Sequence, residues 1–505
     1  MTESGETSRP SLAARTARGA GWIIALRVAA RSMGFLSTLV LARFLLPHDF
    51  GVVALALGFL QALDTLAYIG VEEALIREKS PSRGMYDTGF TLNLLRGLTI
   101  GLLLALAAWP IAGFFGQPEL APVLMVLGAA VAVEGCVNIG LVEFWRKLDF
   151  AKEVRLTILP RVAGLSLAIL VAVVFETYWA LVVGAVVQRV ARVAISYLAH
   201  PYRPRLSLVA WRELLGYSAW TWAISAAVVV RDRANVFTIG RMIDPASAGI
   251  FTIAWDIAST PTQELIAPLQ RAAFSGFAAA RHEGENIAET YLRLVGAAAL
   301  ITLPIGVGLS LTAAPLVRLG FGEQWGAAVP AVHVLSLACA ASVFGLIAWA
   351  ILFSHAKLAV CFYITVATAG TRVVLLALLL PSYGLLGAAY ATAASILVDV
   401  TLQVRHVARH FHIALGRLAA HTWRSIVASA VMAACVWGLG LGWVPLPPTA
   451  AETGWQLLQA IATGVAAYTM ALLLLWLASG RPAGAEADML AVLGRAAQKL
   501  GGRRA

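Results

Sequence analysis

Apolar stretches of about 20 residues, each long enough to cross a bilayer core as a helix, recur from residue 19 to residue 478 with only short polar interruptions. A chain patterned this way must satisfy its backbone N–H and C=O groups without water, and a helix does so within itself. The spans fall near 19–45, 49–75, 87–114, 119–142, 156–176, 178–199 and 214–240. Seven more fall near 247–278, 288–317, 327–354, 358–380, 384–404, 422–441 and 455–478. The pattern predicts an all-α, polytopic membrane protein of about 14 transmembrane helices. Composition points the same way. Hydrophobic residues make up 60% of the chain and charged residues 13%, with a mean hydropathy of +0.79, whereas soluble domains run nearer half apolar and a quarter charged.

The formal charge of +11 could signal a nucleic-acid partner, but the cations are placed otherwise. They alternate between loops: Arg77, Lys79 and Arg83, then Arg146, Lys147, Lys152 and Arg155, then Arg203, Arg205 and Arg212. The same side continues with Arg271 and Arg281, Lys357, and Arg405, Arg409, Arg417 and Arg424, while the opposite loops hold only Arg43, Arg241 and Arg318. The positive-inside rule produces such a distribution. It places both termini in the cytoplasm, requires an even number of spans and leaves no role for nucleic acid. The polar first 18 residues lead into a long apolar run without a small-residue cleavage site, which reads as a retained first helix. Cys136, Cys339, Cys361 and Cys435 all lie in apolar stretches without metal-ligand spacing, so they read as small buried hydrophobes.

An internal repeat divides the chain. Arg43, Pro47 and Gly51 recur as Arg241, Pro245 and Gly249, each displaced by 198 residues. Arg suits a helix C-terminus, Pro stops the helix, and Gly lets the next one start close by. Six spans separate the copies, so they share one membrane orientation, as in a parallel repeat about an axis along the membrane normal. The division that follows is a cytoplasmic tail (1–18), an N-lobe of spans one to six (19–199) and a cytoplasmic linker (200–213). A C-lobe of spans seven to twelve (214–404), two further spans with their basic loop (405–478) and a cytoplasmic tail (479–505) complete it.

Several of these turns resemble a known family. The run Leu41-Ala42-Arg43-Phe44-Leu45-Leu46-Pro47-His48-Asp49-Phe50-Gly51, continued by Tyr68-Ile69-Gly70 and Ala74-Leu75-Ile76, is similar to the polysaccharide transporter family. These are the Wzx-type flippases of the multidrug/oligosaccharidyl-lipid/polysaccharide exporter superfamily. Phe321-Gly322-Glu323-Gln324-Trp325-Gly326-Ala327-Ala328-Val329-Pro330 resembles that family's turn between spans nine and ten. Tyr383-Gly384-Leu385-Leu386-Gly387-Ala388-Ala389-Tyr390-Ala391-Thr392 resembles its start of span twelve. The resemblance implies two six-helix lobes facing a central cavity, with two extra C-terminal helices outside. It implies a bacterial inner-membrane protein that moves undecaprenyl-diphosphate-linked oligosaccharide to the periplasmic leaflet by alternating access. Membrane lipids, a polysaccharide polymerase and the chain-length machinery are the partners it implies.

The ionisable residues within the spans bear on the cargo independently. An Arg at mid-bilayer costs roughly 2.5–3.5 kcal/mol on insertion scales, so it faces a partner or a wet cavity. Span one carries Arg27 and Arg31, four apart on one face, and span seven carries Arg231-Asp232-Arg233; Arg96, Arg161, Arg189 and Arg372 lie in other spans. Arg27, Arg31, Arg231, Arg233 and Arg372 are the candidates for holding a diphosphate, because the planar guanidinium pairs bidentately with phosphate oxygens. The competing reading is that they form internal ion pairs. Arg189 and Arg192, near a cytoplasmic end, are expected to snorkel. The acids are fewer: Asp64, Glu134, Asp256, Glu264 and Asp399. Asp64, Asp256 and Glu264 are candidates for coupling to H+ or Na+, or else partners for an Arg.

Nothing points to catalysis. The chain has no phosphate-binding Gly loop, no HExxH, no nucleophile elbow and no Cys/His ligand cluster, so neither an enzyme activity nor a metal or organic cofactor is expected. A major-facilitator transporter would carry Gly-x-x-x-Asp-x-x-Gly-Arg after span two, where this chain has Arg77-Glu78-Lys79-Ser80-Pro81-Ser82-Arg83-Gly84. A membrane polymerase or ligase would need a large outer loop, and the longest here is about 443–454. A drug/cation exporter or a lipid II-type flippase of the same superfamily remains the alternative. The former would favour acids over arginines in its cavity.

Overall fold

Pro47 opens a helix, Gly116 closes one and Thr449 caps a third, each by different backbone chemistry. Pro47 occupies a first-turn position where its missing N–H costs nothing, and Asp49 turns back to accept the N–H of Leu46 at 2.8 Å. Gly116 ends its helix in the left-handed region at φ 67, where a Cβ is unwelcome. Thr449 and Glu452 form a reciprocal capping box.

The computed structural model describes residues 33–147, 150–214, 219–263, 287–355, 357–482, 484–487 and 489, and among them helices are the regular elements. They are α1 (Met33–Phe44), α2 (Pro47–Leu66), α3 (Val71–Arg77), α4 (Arg83–Phe115), α5 (Leu120–Glu134), α6 (Val142–Arg146), α7 (Phe150–Phe175), α8 (Trp179–Ala199) and α9 (Trp211–Leu214). Then follow α10 (Ala219–Met242), α11 (245–263), α12 (Ile287–Leu311), α13 (Ala313–Gly320), α14 (Val329–Ser354), α15 (Leu358–His410), α16 (Leu415–Gly438) and α17 (Ala450–Ala478).

Two compact units contain them. One runs from Ala56 to Ser218 with the segment ending at Leu45, the other from Ala219 onward with Leu46–Leu55.

In the first unit, span two is interrupted. Gly70, at φ 73, separates α2 from α3. The expected fourth span is bent by 63° between α5 and the turn leading into α6. Asn138 holds that bend: its Oδ1 accepts the N–H of Gly140 at 2.9 Å, and its Nδ2 donates to the carbonyl of Tyr202 at 2.8 Å. Helices α4 and α5 cross at glycines, so closely that a Cβ on Gly101 would lie 2.7 Å from the carbonyl oxygen of Gly128. Close approach of this kind drives helix association in lipid, where apolar burial offers no gain.

In the second unit, α15 has 53 residues. A straight helix of that length would run roughly 80 Å, against a hydrocarbon core of about 30 Å. It reverses instead at Gly384 (φ 56, ψ −137). A Cβ on Gly387 would strike the carbonyl of Leu379, and Arg372 reaches Ser395 at 2.8 Å. Both pairs straddle residue 384, so the two arms form a tight antiparallel hairpin and correspond to the expected spans eleven and twelve. Helices α16 and α17 pack on α12, where Tyr468 donates to the carbonyl of Leu300 at 2.7 Å. Behind them Arg424 and Glu486, both buried, pair at 2.6 Å.

Among the described residues eight helices, α15 counted as one, are long and apolar enough to cross a membrane, and the bent pair makes a ninth. Helix α10 has Arg231, Asp232 and Arg233 in succession, so every 18-residue stretch of it holds more than two charges. The chain is a multi-pass membrane protein.

The repeated turns meet one another inside the second unit. A methyl group on Gly51 would run into the carbonyl of Pro245, and one on Gly249 into the carbonyl of Pro47. The contact is reciprocal, as two equivalent turns facing each other require. The Pro–Gly spacing seen in the sequence therefore builds this junction as well as the two separate turns.

Candidate functional site

Charged and polar side chains from α10 and both arms of α15 form one layer in the second unit. Arg231 donates from Nε to Asp232 Oδ1 at 2.8 Å. Arg372, 5% exposed, donates from Nε to Ser395 Oγ at 2.8 Å and from Nη1 to the carbonyl of Arg231 at 3.2 Å. Thr392 Oγ1 donates to Asn235 Oδ1 at 3.0 Å, and Gln403 Nε2 to Asp399 Oδ2 at 2.8 Å. Asp399 lies within electrostatic reach of both Arg231 and Arg372.

Helical spacing explains the assembly. Thr392, Ser395, Asp399 and Gln403 are separated by three, four and four residues, one stripe along the second arm of α15. Arg231 and Asn235 stand four apart on α10. Arg372 rises from the opposite arm to bind both helices. The layer sets the guanidiniums of Arg231 and Arg372 with the carboxylates Asp232 and Asp399, while Arg233, half-buried beside Asp232, is a third mid-span guanidinium on another face of α10. Two of the layer's oxygens, Asp399 Oδ1 and Gln403 Oε1, are buried without a hydrogen-bond partner among the described residues. An unmatched acceptor in such a place carries a desolvation cost, which a protonated or donating group would remove.

Of the residues singled out in the sequence, Arg231 and Arg372 come together here, with Arg233 beside Asp232 on α10. Arg372 is enclosed and braces the main chain at Arg231, whereas Arg231 keeps part of its side chain exposed. Arg27, Arg31 and Glu264 lie outside the described residues. Asp64 is in the first unit and faces Arg96 at 3.5 Å; Asp256, on α11, is also engaged in interactions. The snorkelling expected of Arg189 and Arg192 is not what the structure shows. Both bind the carboxylate of Glu134, at 3.0 and 3.1 Å, because the bend after α5 leaves that acid facing α8. Asp399 was visible as an intramembrane acid. The signal that places it with Ser395 and Gln403 is the polar stripe at helical spacing.

Fold and site together define a polytopic membrane protein of the transporter type, with buried charge at helix–helix contacts inside the spans. Residues 40–330 match the family model described as "Polysaccharide biosynthesis protein", and the chain belongs to that family. It is 24% identical over 332 residues to the succinoglycan biosynthesis transport protein ExoT of Rhizobium meliloti (strain 1021), covering 65% of this chain and 67% of that one. It is 26% identical over 335 residues to the lipopolysaccharide biosynthesis protein WzxC of Escherichia coli (strain K12), covering 64% and 67%. In fold it is similar to the lipid II flippase MurJ in an inward closed conformation. That match has a TM-score of 0.71 at 12% identity, over 89% of this chain and 98% of that one. It also resembles an inward-facing MATE-family multidrug transporter of the MOP superfamily, with a TM-score of 0.58 at 18% identity, over 77% and 98%.

Proposed function

We propose that this protein flips undecaprenyl-diphosphate-linked oligosaccharide repeat units across the bacterial inner membrane, for assembly of a surface polysaccharide. The family match over residues 40–330 supports the cargo class. The observation that carries the chemistry is the excess of mid-span cations on α10 and α15, where Arg231, Arg233 and Arg372 outnumber Asp232 and Asp399. A low-dielectric site with surplus fixed positive charge favours an anion and disfavours a cationic drug. Arg231 and Arg233 are the residues proposed to meet the diphosphate. Arg372 holds Arg231 in place, and Arg27 and Arg31 of span one are assigned the same cargo. Both termini are placed in the cytoplasm, from which the cargo enters. The flipped units would pass to a polysaccharide polymerase and its chain-length proteins. Coupling to protons or sodium through Asp64, Asp256 or Glu264 belongs to the same proposal.

The test is deletion of the gene followed by glycolipid analysis. Lipid-linked repeat units should accumulate on the cytoplasmic side while surface polysaccharide is lost; normal polysaccharide without accumulation would refute the assignment. Arg31→Ala and Arg231→Ala should each abolish complementation while the protein still inserts. Full complementation by both would remove them from the cargo path.

A further inference from the structure

The segment between α8 and α9 is extended and fastened along one side. Tyr202 donates from its hydroxyl to Asp87 Oδ1 at 2.6 Å, and the N–H of Arg205 donates to the same oxygen at 2.8 Å. The N–H of Ser207 donates to Thr91 Oγ1 at 2.9 Å, and that of Ala210 to Thr88 Oγ1 at 3.2 Å. Asp87, Thr88 and Thr91 are all buried, in the first turns of α4. Side chains on that helix thus supply the hydrogen-bond partners that a neighbouring strand would otherwise give.

Fixing the backbone this way fixes what faces outward. The N–H groups of Arg205 and Ser207 point inward to α4, and the chain between and beyond them presents Leu206 (72% exposed), Leu208 (47%), Val209 (89%) and Trp211 (43%). Four large apolar side chains within six residues are held away from the protein. Flanking them are the exposed cations Arg203 and Arg205 on one side and Arg212 on the other, with Glu213 the adjoining acid. Arg212 lies over the Trp211 ring at 5.3 Å, and Arg203 over Tyr197 at 5.7 Å while donating to the carbonyls of His200 and Tyr202. The strip continues from the end of α8, whose Leu198 is 86% exposed.

We propose that residues 203–212 are a membrane-surface strap that docks on anionic phospholipid. Leu206, Leu208, Val209 and Trp211 enter the headgroup–acyl boundary of the adjoining leaflet, and Arg203, Arg205 and Arg212 meet lipid phosphates. Two observations choose this occupant over a protein partner. Arginines flanking a short run of aliphatics and an aromatic match the chemistry of an anionic interface. The strip is also continuous with α8, a helix that itself spans the bilayer. The strap joins the two halves of the chain, so its hold on the leaflet makes the setting of that connection depend on lipid charge. None of this depends on which cargo is carried.

The test uses the full chain with its four native cysteines replaced by Ala, carrying a nitroxide at Val209→Cys, in bilayers of phosphatidylcholine with or without phosphatidylglycerol. Glu78→Cys, on a neighbouring exposed loop, is the reference. With phosphatidylglycerol, the label at 209 should collide more with oxygen than with a water-soluble nickel chelate, and the label at 78 the reverse. The triple variant Arg203→Gln, Arg205→Gln, Arg212→Gln should shift the 209 label several-fold toward nickel and abolish the lipid dependence. Preference for nickel at 209 in both bilayers would overturn the strap. Shielding from both reagents would mean a protein-covered surface and overturn the lipid occupant. Oxygen preference indifferent to phosphatidylglycerol and to the arginines would overturn the anionic-headgroup assignment.

Discussion

Replacing Gly51 or Gly249 by Ala tests whether the two repeated turns meet as described. Both glycines sit inside helices, at ordinary backbone angles. By helix propensity alone, each substitution should therefore stabilise by about 0.8–1.0 kcal/mol. The packing opposes this. The new methyl of Gly51→Ala would enter the carbonyl of Pro245, and that of Gly249→Ala the carbonyl of Pro47. A backbone carbonyl at the first turn of a helix cannot rotate aside as a side chain would, so the start of α11 or of α2 must shift. Overpacking of this kind costs about 1–3 kcal/mol, and the rigidity of the obstacle places it at the upper end. The net expectation is a loss of about 1–2 kcal/mol for each variant. The double variant should lose less than the sum, because one shift relieves both clashes. Gly370→Ala is the control, since nothing lies within 4 Å of its added methyl. The assay is the thermal midpoint of detergent-solubilised protein followed by size-exclusion chromatography. If Gly51→Ala and Gly249→Ala hold wild-type midpoints or rise with Gly370→Ala, the turns do not meet and the reasoning fails.

Three further outcomes follow from the polar contacts. Arg372→Met removes the donors to Ser395 and Arg231 and leaves two carboxylates with less opposing charge. It should cost about 3 kcal/mol or more, and Asp399→Asn in the same chain should restore part of the loss; a strictly additive double variant would separate the two residues. Asp87→Ala strips the acceptor from both Tyr202 and the N–H of Arg205, and should cost about 2–4 kcal/mol in the same thermal assay. An unchanged midpoint would show that the segment is not fastened there. His200 is a pH case. Burial beside Phe144 holds its imidazole below the usual histidine range, against the opposing pull of Glu143, and its Nδ1 accepts the N–H of Tyr202 at 3.1 Å. The folded protein therefore binds the proton less readily than the unfolded chain. Stability should be full above about pH 6.5 and decline as pH falls below it. His200→Gln should flatten that decline between about pH 7.5 and 5.5, and an equal slope in both proteins would place the titration elsewhere.

Many of the described helices were legible because their apolar runs have the length of a bilayer and end at Pro, Gly or a polar cap. Against about 14 expected spans, eight or nine helices stand as membrane-crossing among the described residues. Pro47, Gly116 and Thr449 do locally what their chemistry suggests. What escaped was anything set by a single residue inside a run. Gly70 splits span two, and Asn138 bends span four by 63°, yet hydropathy averaged over a window passes through both. The candidate site was half legible. Intramembrane arginines stand out against apolar neighbours, so Arg231, Arg233 and Arg372 were found. Ser395, which accepts from Arg372, and the pairs Thr392–Asn235 and Gln403–Asp399 of the same layer are isolated polar positions that an average over apolar neighbours dilutes. They declare themselves through their period along the helix and through a hairpin at Gly384 that brings residue 372 to residue 395. Arg189 and Arg192 show the limit of counting from helix ends: their partner Glu134 is 55 and 58 residues away.

The described arginines within the spans differ in how they are matched. Arg96 has Asp64, and Arg424 has Glu486 behind α16. Glu134 serves Arg189 together with Arg192, which is 49% exposed and can be partly solvated. At mid-span on α10 and α15 the three guanidiniums of Arg231, Arg233 and Arg372 stand against two acids, Asp232 and Asp399, and Arg372 is 5% exposed. Surplus charge in a low-dielectric setting raises the free energy of any conformation that keeps it there unneutralised. An anionic cargo bound at Arg231 and Arg233 would lower the energy of that conformation selectively. A ligand shifts a conformational equilibrium only by such a difference in affinity between states. On the proposed function, the arrival of a diphosphate at this surplus would therefore also be the event that drives the conformational change.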